Sequence, residues 1–572
     1  MMGPGWFDRS TALRRLAEDD FDVLVVGGGI TGSGCALDAA SRGLRTALVE
    51  RDDFASGTSS KSSKMVHGGL RYLQNGEFRL VYEALHERQR LRTNAPHLVK
   101  TLPFLLPVLT GRDSPVPRKL ARAMGSAMWI YDLTGGARIG KIHERLKPAE
   151  ALKHFPTLPA ERLAAAYLYY DARADDARLT LTLARTASID HGAVVANGVR
   201  LVRVNKDVRG RVNGARVEAD GVEIDVRCRA IINATGVWAD DVRALDEGTH
   251  PHSIRPAKGI HITVPWSKVR NDIAAVIPVP KDKRSIFVVP WYDTADPGGD
   301  PQVTYLGTTD TDYDGPVDDP QCTAADIRYI LDAANASIST GLTEADVLGT
   351  WAGLRPLVKS AESEKTADLS RRHRVQVSES GVVTITGGKL TTYREMAADT
   401  VDDIVAYLGD EVGSRAGRCR TARLPLRGAE GWEAVRTGGP GAAPVSNAVV
   451  EHLTDRYGSE ARTLLAMTEG DASLAEPLVR GLPYLRAEAV FAARYEMARS
   501  VDDVLSRRTR ARLLARDASA EAAQEVADLI APVLGLSDVE ASAQVARYHE
   551  LVDAERSAPG LPETSLEASL GA

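Results

Sequence analysis

Apolar residues fall in short runs along this chain, and the sharpest run comes first. Val23 to Val26 form an apolar strand, and the turn Gly27-Gly28-Gly29-Ile30-Thr31-Gly32 follows it. Gly34 to Ala40 then open a helix of small residues, Ala47 to Val49 make a second strand, and Glu50 closes the unit. Each part has a physical task. Gly27 permits the tight turn, Gly29 lets the backbone come close to a pyrophosphate, and Gly32 lets the helix settle on the strand. The helix N-terminus points its free N–H groups at the phosphates. Glu50 lies where an acid accepts hydrogen bonds from a ribose. The pattern predicts a dinucleotide site.

Downstream, Phe78, Val81, Leu85 and Leu91 near helical spacing predict a helix over 77–97. Prolines mark the stretch around Pro103, Pro107, Pro115 and Pro117. Strands are predicted over 163–171 and 193–204, with a β-rich stretch over 210–234 that ends in Asn233-Ala234-Thr235-Gly236. Further strands fall at 259–264, 285–291, 303–308 and 382–386, and the last delivers Gly387-Gly388-Lys389 to a helix start. The two glycine turns thus bracket a β-rich insert. The fold class expected is α/β: a Rossmann-type dinucleotide domain interleaved with an antiparallel substrate domain, plus a C-terminal all-α domain. The dinucleotide domain is placed at 20–408 (about 20–100, 165–250 and 345–408), with the substrate domain at about 101–164 and 251–344. Residues 1–19 read as an arm or short helix and 409–447 as a Gly/Ala/Arg/Pro linker. Residues 448–556 read as the helical domain and 557–572 as a disordered tail.

Composition narrows the class. At 572 residues the chain exceeds one core, and 26% charged with 44% hydrophobic residues is ordinary for a soluble protein. A net charge of −6 and the lack of a basic stripe through any domain argue against nucleic acid. Cys35, Cys228, Cys322 and Cys419 are far apart, which disfavours disulfides and metal sites and suits a cytoplasmic protein. No signal peptide or spanning segment is expected. One segment, 117–147, departs from the average, with seven Lys and Arg against two carboxylates around Met124, Met128, Trp129, Ile130, Tyr131 and Leu133. Cationic flanks about an apolar centre suit peripheral contact with anionic lipid, and core packing under a basic rim is the other reading.

Three glycine turns separate this chain from a simple nicotinamide dehydrogenase. Lys389 with the helix N-terminus behind it would stabilise negative charge on a reduced flavin. The stretches VGGGITGSGCALDAASRG and GGKLTTYREMA resemble the two signatures of the FAD-dependent glycerol-3-phosphate dehydrogenases. SSKMVHGGLRYL, AKGIHITVP, FVVPW, LGTTDTDY and WAGLRPL resemble further segments of that family, in its order. The resemblance implies FAD as cofactor. Candidate cofactor contacts are Gly27, Gly28, Gly29, Ile30, Thr31, Gly32, Glu50, Arg51, Thr58, Ser59, Ser62, Ser63, His67, Gly68 and Gly69. Ala234, Thr235, Gly236, Gly388, Lys389, Leu390 and Thr391 complete the set.

The resemblance also implies sn-glycerol 3-phosphate as substrate, with Arg71, Arg355 and Lys389 on pocket positions and Tyr72 and His261 beside them. A phosphate dianion needs such cations. Alternation along 258–264 puts His261 with Gly259 and Thr263, on the more polar face. The expected chemistry is hydride transfer from the carbinol carbon to flavin N5, giving dihydroxyacetone phosphate. Arg355, Lys389, His67 and His261 are the catalytic candidates, and either histidine or an arginine-polarised water is the base. The resemblance implies a quinone as acceptor, and segment 117–147 leads us to expect peripheral attachment to the cytoplasmic face of the plasma membrane. An oxygen-reducing flavin oxidase of the same fold, acting on glycerol 3-phosphate or an amine, is the alternative, and a homodimer is left open.

Overall fold

The structure is a computed structural model that describes residues 7–70, 77–110, 118–280, 284–292, 300–358 and 373–570. Its first sheet grows from the predicted unit. Asp20–Val26 lies between Val222–Asn233 and Thr46–Val49 in parallel, with Val382–Thr386 and Val194–Ala196 extending the sheet on either side. Val23 to Val26 are buried on both faces, the signature of a parallel strand covered by helices. Helix Ile30–Ser41 lies on one face, backed by Asp176–Arg185 and Tyr393–Gly413. Asp175 caps Asp176–Arg185 by accepting from the Ala177 and Arg178 N–H groups.

The second sheet has ten strands and is largely antiparallel. Its centre is Ile254–Pro265, flanked by Gly349–Val358 and Val303–Gly307, then Ser285–Pro290, Ala274–Pro278, Lys100–Leu109 and Leu163–Arg173. Helix Ala324–Asn335 covers the outer face, where Ile260, Ile262 and Val264 pack with Ile327 and Ile330. The inner face carries His261 and Tyr305 and looks toward the first sheet.

Several expected boundaries move. Strands Leu163–Arg173 and Gly349–Val358 belong to the second sheet, not to the dinucleotide domain, because Leu168 pairs with Leu105 and Trp351 with His261. Lys100–Leu109 is a strand despite Pro103 and Pro107; its ladder to Ala274–Pro278 is confined to Phe104 and Leu105, so neither proline owes an N–H there. The arm is a helix, Arg9–Glu18, with Ala12 and Leu16 in the core.

The expected linker, 409–447, is strapped down rather than free. Leu426 N donates to Asn94 O, Thr421 Oγ1 to Asp38, and Val435 is buried. The expected disordered tail is also ordered through residue 570. Leu561 and Leu566 enter the core, and Asp517 accepts from Thr564. The C-terminal region is a helical domain as expected, and it packs tightly on the rest: Tyr484, Val504 and Val526 share one core with Phe104, Tyr305 and Trp351.

Candidate active site

Between the glycine turns runs a groove of about 300 Å³. Gly27, Gly29, Ile30 and Thr31 form its floor, and Gly27 has φ +107°, where a Cβ would strike Ala234 O. Ile30 N donates to Ser59 Oγ at 2.9 Å, which fixes the loop beside the helix start. Gly29 is open apart from Ser59 Oγ, so the backbone is bare where a pyrophosphate would lie. Gly28 and Gly32 do not line the groove. A side chain at Gly28 would meet Glu50 and Phe54, and one at Gly32 would meet Gly27 O, so both serve close packing.

Glu50 Oε2 accepts from Gly28 N at 2.6 Å and Oε1 from Asp52 N at 2.9 Å, and burial lifts its pKa to about 7. Arg51, Thr58, Ser59, Ala234, Thr235 and Gly236 line the walls, as do Gly388, Lys389 and Leu390 at the far end. Val199, Leu201, Trp238, Val242 and Leu245 add an apolar slot near Glu50 that sequence reading missed. The alternating strand Val199–Lys206 and the Val237-Trp238 pair after Gly236 were the available signals. Bare backbone and a helix N-terminus, an acid and an apolar slot, in that order, fit FAD from pyrophosphate through ribose to adenine.

At the other end the loop around His67 meets the third turn. His67 N donates to Thr391 Oγ1 at 3.2 Å, and the His67 ring lies 6.4 Å from the Phe287 ring. Gly68 and Thr391 face protein rather than the groove. Gly68 packs on Leu85 and Tyr131 and donates to Asp171 Oδ1, while Gly69 makes the left-handed turn at φ +75°. Asp171 also takes the Arg88 guanidinium at 2.6 Å and the Tyr131 hydroxyl at 2.7 Å, so a buried carboxylate anchors the loop. Arg71 and Tyr72 lie outside the described residues.

Ser62 does not line the groove either, since its N–H and Oγ both donate to Asp176. Ser63 Oγ lies 2.8 Å from His261 Nε2. His261 is 2% exposed, stacked 4.8 Å from Trp351, and closed over by Gly307, where any side chain would collide with the ring. Alternation implied a pocket-lining ring, but both faces of that strand are covered and the ring is internal. Burial first, then Lys64 and Arg355, hold its pKa well below the ordinary value, so the ring is neutral, and Nδ1 has no partner among the described residues.

Arg355 is the partly exposed cation of this corner. Its guanidinium donates to Thr308 Oγ1, Thr309 O and Asp310 Oδ1, and the neighbouring Pro356 lines the same groove as Lys389. Two cations thus bracket a polar corner with a neutral imidazole behind a hydroxyl. Such a corner can hold an anion and accept a proton.

Comparison with known proteins agrees with this geometry. The FAD dependent oxidoreductase family matches residues 22–394, and the C-terminal domain of alpha-glycerophosphate oxidase matches residues 419–541. Glycerol-3-phosphate dehydrogenase 2 of Mycobacterium tuberculosis is 42% identical over 97% of this chain and 91% of its own length. The mitochondrial glycerol-3-phosphate dehydrogenase of Homo sapiens is 38% identical over 92% of this chain and 72% of its own. The glycerol-3-phosphate dehydrogenase from Bacillus halodurans, solved in complex with FAD, superposes with a TM-score of 0.75 at 28% identity, covering 95% of this chain and 97% of that one. This chain is therefore a member of the FAD-dependent glycerol-3-phosphate dehydrogenase family.

Proposed function

We propose that the protein oxidises sn-glycerol 3-phosphate to dihydroxyacetone phosphate and passes the electrons to a membrane quinone. The observation that carries this reading is the position of Lys389 and of Arg355, through Pro356, at one end of the FAD groove. Bound in that groove, FAD supplies the hydride acceptor. Arg355 is held by three oxygen partners before any substrate arrives, so its fork is set for a phosphate and loses little freedom on binding. Lys389 adds a second cation. His261 suits the base: its ring is neutral, and Ser63 Oγ at 2.8 Å can take the carbinol proton and hand on its own to Nε2. His67, tied by its backbone to Thr391, shapes the corner between them.

The membrane reading rests on where the apolar residues of the basic segment fall. Helix Arg118–Leu133 buries Met128 and Tyr131 in the core but exposes Trp129 to 54% and Leu133 to 82%. Phe78, Tyr82, Ile130 and Ile142 are exposed too, and Lys141, Arg145 and Lys147 are exposed further along the same segment. Core packing and surface contact thus occupy different faces of this helix. No helix among the described residues is long and apolar enough to cross a membrane, so a docked surface is the contact proposed.

The test is anaerobic. Addition of sn-glycerol 3-phosphate should bleach the visible flavin absorption, whereas glycerol and the opposite enantiomer should not. Absence of bleaching in FAD-loaded protein would overturn the substrate. Reoxidation of the reduced protein by a short-chain quinone, much faster than by oxygen, supports the acceptor; rapid peroxide formation would favour an oxidase.

A further inference from the structure

Away from the groove, a cavity of about 50 Å³ lies where the two sheets and the helical domain meet. Its wall carries five cations, Lys64, Lys100, Arg173, Arg178 and Arg456, against Asp175 and Asp455. Four of the five have carboxylate partners. Lys64 meets Asp176 at 3.0 Å, Lys100 meets Asp455 at 2.8 Å, Arg456 meets Asp175 at 3.3 Å, and Arg178 pairs with Glu496. Arg173 has none among the described residues; its guanidinium lies 4.4 Å over the Tyr292 ring.

Two more polar groups of this wall are buried without a hydrogen-bond partner among the described residues. Trp291 is 9% exposed and its Nε1–H has no acceptor among the described residues, and His97 is 1% exposed with Nδ1 likewise unpartnered among them. An indole N–H can only donate, and natural interiors seldom leave such a donor dry. An unpaired cation and an orphan donor in one small cavity ask for the same kind of ligand.

We propose that this cavity binds a tetrahedral oxyanion of the phosphate class, held by the Arg173 guanidinium and the Trp291 indole N–H. A single water needs about 10–15 Å³ of such space, so the cavity suits one such ion and excludes a nucleotide. The site lies outside the FAD groove, and it reaches the catalytic corner through Tyr305, which shares this wall and donates to Ser63 O at 3.0 Å. Filling it would join the end of Leu163–Arg173 to Trp291, just past Ser285–Pro290, beside helix Asn447–Tyr457.

The experiment is equilibrium dialysis of the FAD-loaded protein against radiolabelled inorganic phosphate, with chloride holding the ionic strength constant. Wild type is compared with Arg173→Met and Trp291→Phe, each checked for an intact flavin spectrum. The expected result is one more equivalent of phosphate per chain in the wild type than in either variant, or at least a tenfold weaker second equivalent in them. Binding at the catalytic corner is common to all three and cancels in the difference. Equal counts and affinities would overturn the proposal, and if one variant fails to hold FAD the other decides. Excess dihydroxyacetone phosphate then separates the sources: a difference that persists names free phosphate, and one that vanishes names a phosphomonoester.

Discussion

Glu50 is held as a hydrogen-bond acceptor while burial opposes its charge. Two backbone N–H groups point at its carboxylate, yet its pKa stands near 7. With Glu50 proposed as the acceptor of the ribose hydroxyls, which donate to the ionised form, FAD binding would select that form. Below pH 7 the carboxylate must first lose a proton, and affinity should fall by up to about tenfold per pH unit. Fluorescence titration of the apoprotein between pH 5.5 and 8 should show this slope, and Glu50→Gln should abolish it. His97 carries the opposite sign of consequence for stability. Its folded pKa is pushed down to about 3 by burial and Lys100, against 6.5 when unfolded. Above pH 6.5 both states are neutral and nothing is gained or lost. Below it only the unfolded chain takes the proton, so stability falls by about 1.4 kcal/mol per pH unit until pH 3 is approached. Denaturation at pH 7 and pH 5 in chloride buffer should show a smaller loss in His97→Gln than in the wild type. At the proposed catalytic corner, His261→Asn should lower kcat by about 10²–10⁴ with flavin content unchanged, as read by stopped-flow bleaching.

Elements whose role is local were legible, and those whose role is a matter of partners were not. The strand–turn–helix at 20–41 could be read because glycine spacing and burial on both faces are properties of the segment itself. Sheet membership is different: the apolar runs at 163–173 and 349–358 look alike whichever sheet they join, and only pairing with Lys100–Leu109 and Ile254–Pro265 decides it. For the same reason Ser62 and Ser63 read as cofactor contacts, since nothing nearby announces Asp176 or His261 as their partners. Helix Arg118–Leu133 illustrates both cases, its basic and apolar character being visible and the link of Tyr131 to Asp171 invisible. Gly68→Ala would press on Leu85 and the Tyr131 hydroxyl and should cost about 1–3 kcal/mol, measured by urea denaturation. Leu133→Asp, on the exposed face, should leave flavin bleaching unchanged and reduce co-sedimentation with anionic vesicles several-fold.

Across the whole molecule, charge does what composition could not foretell. Arginine reads as surface, yet Arg88, Arg178, Arg508, Arg510 and Arg516 are fully buried. Several of them pin the helical domain to the dinucleotide domain: Arg508 grips Asp53 through two nitrogens at 2.7 and 2.9 Å, and Arg510 meets Asp176 at 2.9 Å. Asp53→Ala would strand Arg508 in the interior and should cost about 3–5 kcal/mol, with FAD released at a lower temperature in a thermal scan that follows flavin fluorescence. The strand order of the first sheet has a further consequence, for biosynthesis. Asp20–Val26 emerges early, but its neighbour Val222–Asn233 comes some two hundred residues later and Val382–Thr386 later still. Until residue 386 of 572 has left the ribosome, Val222–Asn233 lacks its partner Val382–Thr386, and Arg508 arrives later yet. The nascent chain therefore carries apolar strands that wait for distant partners through much of translation, and refolding from denaturant is expected to be slow and prone to aggregation.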